Sequence, residues 1–385
     1  MSMHRWRLRA RYHWDQSPDS ALITARGVVD TKIRRYVTAT SSAGPGGPSF
    51  GYAGVWHGIG RIQQVLEEFR ESKGAPTLSR TQQKVSRAQV LSGQHVPPAD
   101  LVAVGCTSDQ AARLPAGNAL VLPYRLHLVV DMTDGWLNAV SKWERKWIAA
   151  RRREREWCIE RATDEASFHY FYDRMHAPTM QIRHGERTRG ESRDSALECL
   201  FRDGVLTFAT VDGERVAGAL CHRSPDGRTI TLRLVGVLDG VRQHYDDGAL
   251  KILYHMLLQW AADNGIRHVD LGGMEAWISK GIFRWKRRLA PRIVLAPNHL
   301  GRLRVWWHAS RDTPAVRDFL VANPVFEVGS DQRLGAVYFY DDERPPRTDL
   351  AFSGANVHQS RMVHLDGFLP KGALPDASID RIVVR

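Results

Sequence analysis

The chain has 385 residues, 43% of them hydrophobic and 25% charged. That balance excludes a disordered or fibrous protein for most of its length and leaves room for two domains whose cores need no disulfides. Lys and Arg exceed Asp and Glu by 54 to 42, a net charge of +12, which favours polyanionic partners (nucleic acid, nucleotide diphosphates, an anionic membrane face) over the plainer reading of a solvated basic surface.

The first residues, "MSMHRWRLRARYHW", are basic but lack a following apolar stretch, so no secretory signal is expected. "ALITARGVVD" and "KIRRYVTAT" predict strands, and "SSAGPGGPSFGYAGVWHGIG" a Gly/Pro-rich loop that lines an acceptor pocket or simply connects. "RIQQVLEEFRESKG" predicts an amphipathic helix closed by Gly74, and the polar run up to Asp100 a surface excursion. "DLVAVGC" and "NALVLPYRLHLVVDM" return to strand character. "DGWLNAVSKWERKWIAARRREREW" predicts one long basic helix over 137–157, with Trp136, Val140, Trp143, Trp147 and Ile148 facing a core. A second helix follows, capped near Thr163 and stopped before Pro178.

The clearest element is a three-stranded antiparallel meander over 205–237, with turns at Asp212-Gly213 and Pro225-Asp226-Gly227. A loop then leads into "GALKILYHMLLQWAADNG", a helix ended by Gly265, and into the strand "IRHVDLGG". "GIFRWKRRLAPR" alternates Phe283 and Trp285 and therefore predicts a half-buried strand, oddly crowded with cations. "RIVLAP", a helix "TPAVRDFLVAN" and a strand "GAVYFYDD" close the pattern, and the last forty residues read as peripheral.

No run approaches the ~20 apolar residues that a spanning helix needs. Cys106, Cys158, Cys199 and Cys221 are scattered without a C-x-x-C pair, which fits a reducing cytoplasm. No His/Cys/Asp set has metal-ligand spacing, so no metal site is expected, and no G-x-S-x-G or P-loop occurs.

Three antiparallel strands, a loop, a long helix, a strand, a helix and a final strand follow the order of the GNAT acyltransferase fold. "GALKILYHMLLQWAADNGIRHVDLGG" followed by "GIFRWKRRL" resembles the C-terminal core of the Fem-type (FemAB-like) aminoacyltransferases, and "SKWERKWIAARRREREW" resembles their basic helix. The resemblance spans 120–345. It implies an α/β (α+β) protein of two GNAT-like halves, each a mostly antiparallel mixed sheet flanked by helices. The expected division is a divergent half at 1–134, a catalytic half at 135–345 and a peripheral tail at 346–385. It also implies transfer of an aminoacyl group from aminoacyl-tRNA to an amine of a small-molecule, nucleotide-linked or cell-wall-precursor acceptor, with tRNA as partner and no cofactor beyond the donor. An acyl-CoA-dependent N-acyltransferase and a non-catalytic RNA-binding protein on the same fold stay open as alternatives.

By the same resemblance, Trp285 and Lys286 occupy the active centre, where a fixed cation quiets the oxyanion of an attacked ester; a snorkelling surface lysine is the competing reading. Arg284, Arg287, Arg288 and Arg292 read as phosphate contacts, as do Lys142, Arg145, Lys146 and Arg152 of the basic helix. Asp270 and Glu275 are candidate proton acceptors, with His184, His244 and His268 behind them. The donor loop holds Arg242, Gln243 and Gly248, but Asp246 and Asp247 stand where a coenzyme diphosphate would lie. Those carboxylates disfavour acyl-CoA.

Overall fold

The structure is a computed structural model that describes residues 3–44, 46–92, 97–185, 191–329, 331–357 and 359–371. Residues 93–96 of the expected surface excursion, 358 and 372–385 of the tail, and the side chain of His184 lie outside this set. The fold is α/β, with mixed sheets flanked by helices. It divides into two units that are not consecutive stretches of chain. The first is Met1–Trp14, His127–Gly272 and Lys286–Arg292; the second is Asp15–Leu126, Gly273–Trp285 and Ile293–Arg385.

In the first unit the strands lie in the order Leu126–Asp131, His268–Met274, Thr229–Val237, Glu214–Arg223, Val205–Val211, Trp157–Ala162. The meander is antiparallel as expected, and Asp212 and Gly213 both take positive φ (51° and 86°), the geometry of a tight hairpin turn. Thr229–Val237 then pairs in parallel with His268–Met274. The crossover that parallel pairing demands is the helix Ala249–Asp263. Phe168, Phe171, Met175, Leu200, Phe208 and Leu220 fill the core on the sheet's helical side.

Two helices depart from expectation. The one capped by Asp164 does not stop before Pro178; it passes through a π-turn, Tyr172–His176, into Ala177–His184. The hydrogen-bond ladder is already widened there, so the missing N–H of proline costs little. The long basic helix is broken into Trp136–Ala139 and Lys142–Glu154, with Val140 extended and Ser141 capping the second piece, and a strand begins at Trp157. The tryptophan stripe does not face inward either: Trp143 is 56% exposed, and the buried residue of Lys142–Glu154 is Glu144, at 1%.

In the second unit the strand order is Thr77–Val85, Tyr36–Ala43, Phe50–Gly54, Leu101–Thr107, Leu303–Ala309, Ala119–Pro123, with a separate three-stranded sheet of Val325–Val328, Leu334–Tyr340 and Ser360–His364. "ALITARGVVD" is a helix, Ser20–Val28, capped by Asp19, and the Gly/Pro-rich loop contains the strand Phe50–Gly54. Leu303–Ala309 had no expected counterpart. It is the inner strand between Leu101–Thr107 and Ala119–Pro123 and is buried along both faces, with Arg304 of its polar positions inside as well. Ser360–His364 pairs in parallel with Leu334–Tyr340, which makes this part of the tail a sheet strand.

Glu144 holds the helix Lys142–Glu154 against Ala249–Asp263. Its Oε1 is 2.9 Å from Nζ of Lys251 and 3.3 Å from Nε2 of His255. Burial alone would raise its pKa, yet the contacts to His255 and Lys251 hold it below the ordinary glutamate value. The stabilisation is therefore complete above the unfolded pKa and is lost as pH falls through the folded one. Glu144→Gln is expected to cost roughly 3 kcal/mol at neutral pH, as removal of one member of a buried ion pair does. Denaturant melts at pH 7 and pH 3 check this: the gap between variant and parent should narrow in acid.

Candidate active site

"GIFRWK" is a helix, Gly281–Lys286, followed by a 3₁₀ turn, Arg287–Leu289, and not the expected strand. The alternation of Phe283 and Trp285 is incidental. The buried residues are Phe283, Lys286 and Leu289, three apart, which is helical spacing. A strand would have sent Lys286 to the face opposite Phe283. The helix instead buries it, at 5% exposure.

Within the first unit, the Lys286 ammonium donates a short hydrogen bond to the carbonyl of Leu271 and lies 5.3 Å from the ring centre of Tyr254. The carbonyl and the ring face replace water around this buried ammonium. Gly272 is required beside it. Its φ is +91°, and a Cβ there would stand 3.2 Å from the Leu232 carbonyl and 4.0 Å from the ammonium. The D-x-G-G sequence is thus the seat of the lysine.

Asp270 is 4% exposed and fully engaged. Its Oδ2 lies 2.6 Å from Nδ1 of His127, and its Oδ1 accepts from the Gly272 amide at 2.9 Å. A carboxylate held this way orients the imidazole of His127. The sequence reading missed His127, although a signal was present: "LHLVVD" buries Leu126, Leu128 and Val130 and leaves His127 and Asp131 on the other face. His268 is paired with Asp131 at 2.9 Å, and His244 is half-buried.

Glu275 belongs to the second unit and is locked. Arg125 bonds one oxygen and Lys280 the other, while Arg125 also reaches the Gly273 carbonyl at 2.8 Å. Burial would raise its pKa, but Lys280 and Arg125 bring it down to about 2. Such a group is a poor proton acceptor near neutrality. Trp285 is half-buried in the same unit.

The expected phosphate contacts differ in freedom. Arg292 forms a fork on Asp131 at 2.6 and 3.0 Å, and Arg288 lies 4.7 Å over the Trp143 ring and 3.8 Å from Glu144. Arg145 donates to the Val140 carbonyl, and Arg287 is half-buried. Lys142, Lys146, Arg152 and Arg284 are exposed and form no ion pair among the described residues.

At the donor loop, Arg242 lies 3.5 Å from Asp246, and Gln243 donates to Asp247 at 2.8 Å, all on one helical turn. Gly248 has φ +83°, and its amide is spent on the Tyr245 carbonyl at 2.9 Å. A Cβ at Gly248 would lie 2.5 Å from the ring of Trp147, so the indole covers the start of the helix Ala249–Asp263. Nζ of Lys251 lies 3.8 Å from the centre of that indole.

With this geometry in view, residues 140–287 match the family model described as the acetyltransferase (GNAT) domain. Solved structures similar to the chain include L-PGS from Bacillus licheniformis, at 12% identity and a TM-score of 0.36 over 79% of this chain and 96% of that one. The C-terminal domain of a putative lysylphosphatidylglycerol synthetase from Agrobacterium fabrum matches at 12% and 0.36, over 81% and 93%. FemX matches at 11% and 0.37, over 80% and 96%. No curated protein matches the chain. Among the described residues no helix is long and apolar enough to cross a membrane.

Glu275 supplies a second acid-sensitive contribution. Its stabilisation is complete above the unfolded pKa, near 4.5, and is lost as pH falls through about 2. From that shift it amounts to roughly 3 kcal/mol at neutral pH. Comparing the unfolding free energies of the parent and Glu275→Gln across pH 2–7 tests this. A constant difference at every pH would contradict the assignment.

Proposed function

We propose that the chain is a Fem-like aminoacyltransferase that moves an aminoacyl group from charged tRNA to an amine, forming an amide without a cofactor and acting in the cytoplasm. The observation that carries this reading is Trp147 lying on Gly248. In an acyl-CoA enzyme of this fold the bare amides at that helix start grip a diphosphate. Here an indole occupies the space, Gly248 has spent its amide, and Asp246 and Asp247 add negative charge beside it. A donor held elsewhere, through its polynucleotide, avoids all three obstacles. The exposed Lys142, Lys146 and Arg152 offer such a donor phosphate contacts.

The chemistry needs little acid–base force, because the ester of charged tRNA is already activated. The acceptor nitrogen attacks the ester carbonyl carbon, and its lone pair forms the new C–N bond. Negative charge gathers on the carbonyl oxygen and then on the departing ribose oxygen as the C–O bond breaks. The Lys286 ammonium, fixed on the Leu271 carbonyl, stabilises that charge electrostatically. His127, oriented by Asp270, takes the proton from nitrogen and returns one to the ribose oxygen.

Incubation with charged tRNA and candidate amines should release uncharged tRNA and yield an amide that RNase pretreatment abolishes. Lys286→Met should lower kcat by about 10²–10³-fold, the usual cost of one oxyanion donor. RNase-resistant release of CoA from an acyl-CoA would replace this reading with the N-acyltransferase one. Salt-dependent RNA binding without turnover would leave a binding protein.

A further inference from the structure

Asp30, His57 and His299 stand far apart in the sequence and meet inside the second unit. Asp30 lies in the π-turn Val29–Ile33, His57 in the turn after the strand Phe50–Gly54, and His299 opens the 3₁₀ turn His299–Arg302. One ligand atom from each lies within 4.8 Å of the others. Nε2 of His57 is 3.7 Å and Nε2 of His299 3.8 Å from Oδ2 of Asp30. These separations are too long for hydrogen bonds. They suit donor atoms arranged around a small dication, whose own bonds are about 2.0–2.2 Å after slight contraction.

Asp30 is 2% and His299 7% exposed, and Nε2 of His57 is sealed from solvent with no hydrogen-bond partner. The other ring nitrogen, Nδ1, is 2.7 Å from the Tyr124 hydroxyl. If Nδ1 carries the proton, Nε2 aims a lone pair at a carboxylate, which is repulsive unless a cation intervenes. If Nε2 carries it, this buried N–H faces Oδ2 of Asp30 at 3.7 Å, beyond ordinary hydrogen-bond length. Neither tautomer satisfies the site by itself, and a bound cation satisfies the first.

Arg26 donates to Oδ2 of Asp30 at 2.7 Å and Arg34 to Oδ1 at 3.1 Å. They fix the carboxylate as outer hydrogen bonds do at metal centres. Arg26 is itself paired with Asp15, which softens its repulsion of a dication.

We propose that Asp30, His57 and His299 form a binding site for a divalent transition metal of the zinc class, with two imidazole nitrogens and one carboxylate oxygen as ligands and water completing the shell. This nitrogen-rich set selects zinc or cobalt over magnesium or calcium. The ion fastens three distant segments of one unit, and the site stands independently of the acyl-transfer reading.

The test is a titration of untagged, EDTA-stripped, dialysed protein with Co²⁺, followed by visible absorption and then by displacement with Zn²⁺. A saturable band reaching one equivalent per chain is expected, erased by Zn²⁺ and absent in His57→Gln and His299→Gln. Tyr124→Phe should weaken Co²⁺ binding by about 10–100-fold, the usual effect of removing an outer partner. Zn²⁺ should also raise the Tm of the parent but not of His299→Gln, with far-UV circular dichroism reporting that each variant is folded. No saturable band in the parent, or an unchanged band in both histidine variants, would overturn the site.

Discussion

The hydrogen bond from the Lys286 ammonium to the Leu271 carbonyl is the contact around which the first unit's candidate site is arranged. A lysine at 5% exposure keeps its charge only where a carbonyl and an aromatic face replace water, and Leu271 and Tyr254 supply both. Its seat dictates the residues around it. Position 272 must be glycine, because the backbone there has φ +91° and borders the ammonium. The segment carrying the lysine must be a helix, because only a three-residue spacing turns Phe283, Lys286 and Leu289 to one side. The same strand end then aligns Asp270, and through it His127.

Acidic residues inside the protein serve mainly to hold cations. Glu144 meets Lys251 and His255, Glu275 meets Arg125 and Lys280, Asp131 meets Arg292 and His268, and Asp30 meets Arg26 and Arg34. Each is a buried or half-buried charge whose desolvation is offset by a partner at short range. The net surplus of +12 is therefore left to surface groups such as Lys146, Arg152 and Arg284. That division separates what stabilises the fold from what is available to a polyanion. Of the cations in the segment 284–288 only Lys286 is deeply buried.

Much of the first unit was legible because its signals are local. The hairpin at Asp212-Gly213 needs only a residue pair that tolerates positive φ, and the helix Ala249–Asp263 needs only its apolar periodicity and a terminal glycine. Local signals failed where neighbours overrode them. Leu303–Ala309 is an inner strand buried along both faces although it carries Arg304 and His308, so no clear apolar run marks it. Trp143 and Trp147 looked like core residues, yet they stack with Lys251, Arg151 and Arg288, and the inward position went to Glu144.

The amino-acid order alone determined the meander, its crossover helix, the D-x-G-G strand end and the lysine that follows, since each depends on residues within one or two turns or strands of one another. Tertiary structure alone decided that this lysine sits on a helix, that Asp270 holds His127 while Arg125 and Lys280 hold Glu275, and that Trp147 covers the start of the crossover helix. It alone gathered Asp30, His57 and His299. The physical reason is the same throughout: hydrogen-bonding partners, burial and charge compensation are set by atoms brought together across long loops, and spacing along the chain carries no record of them.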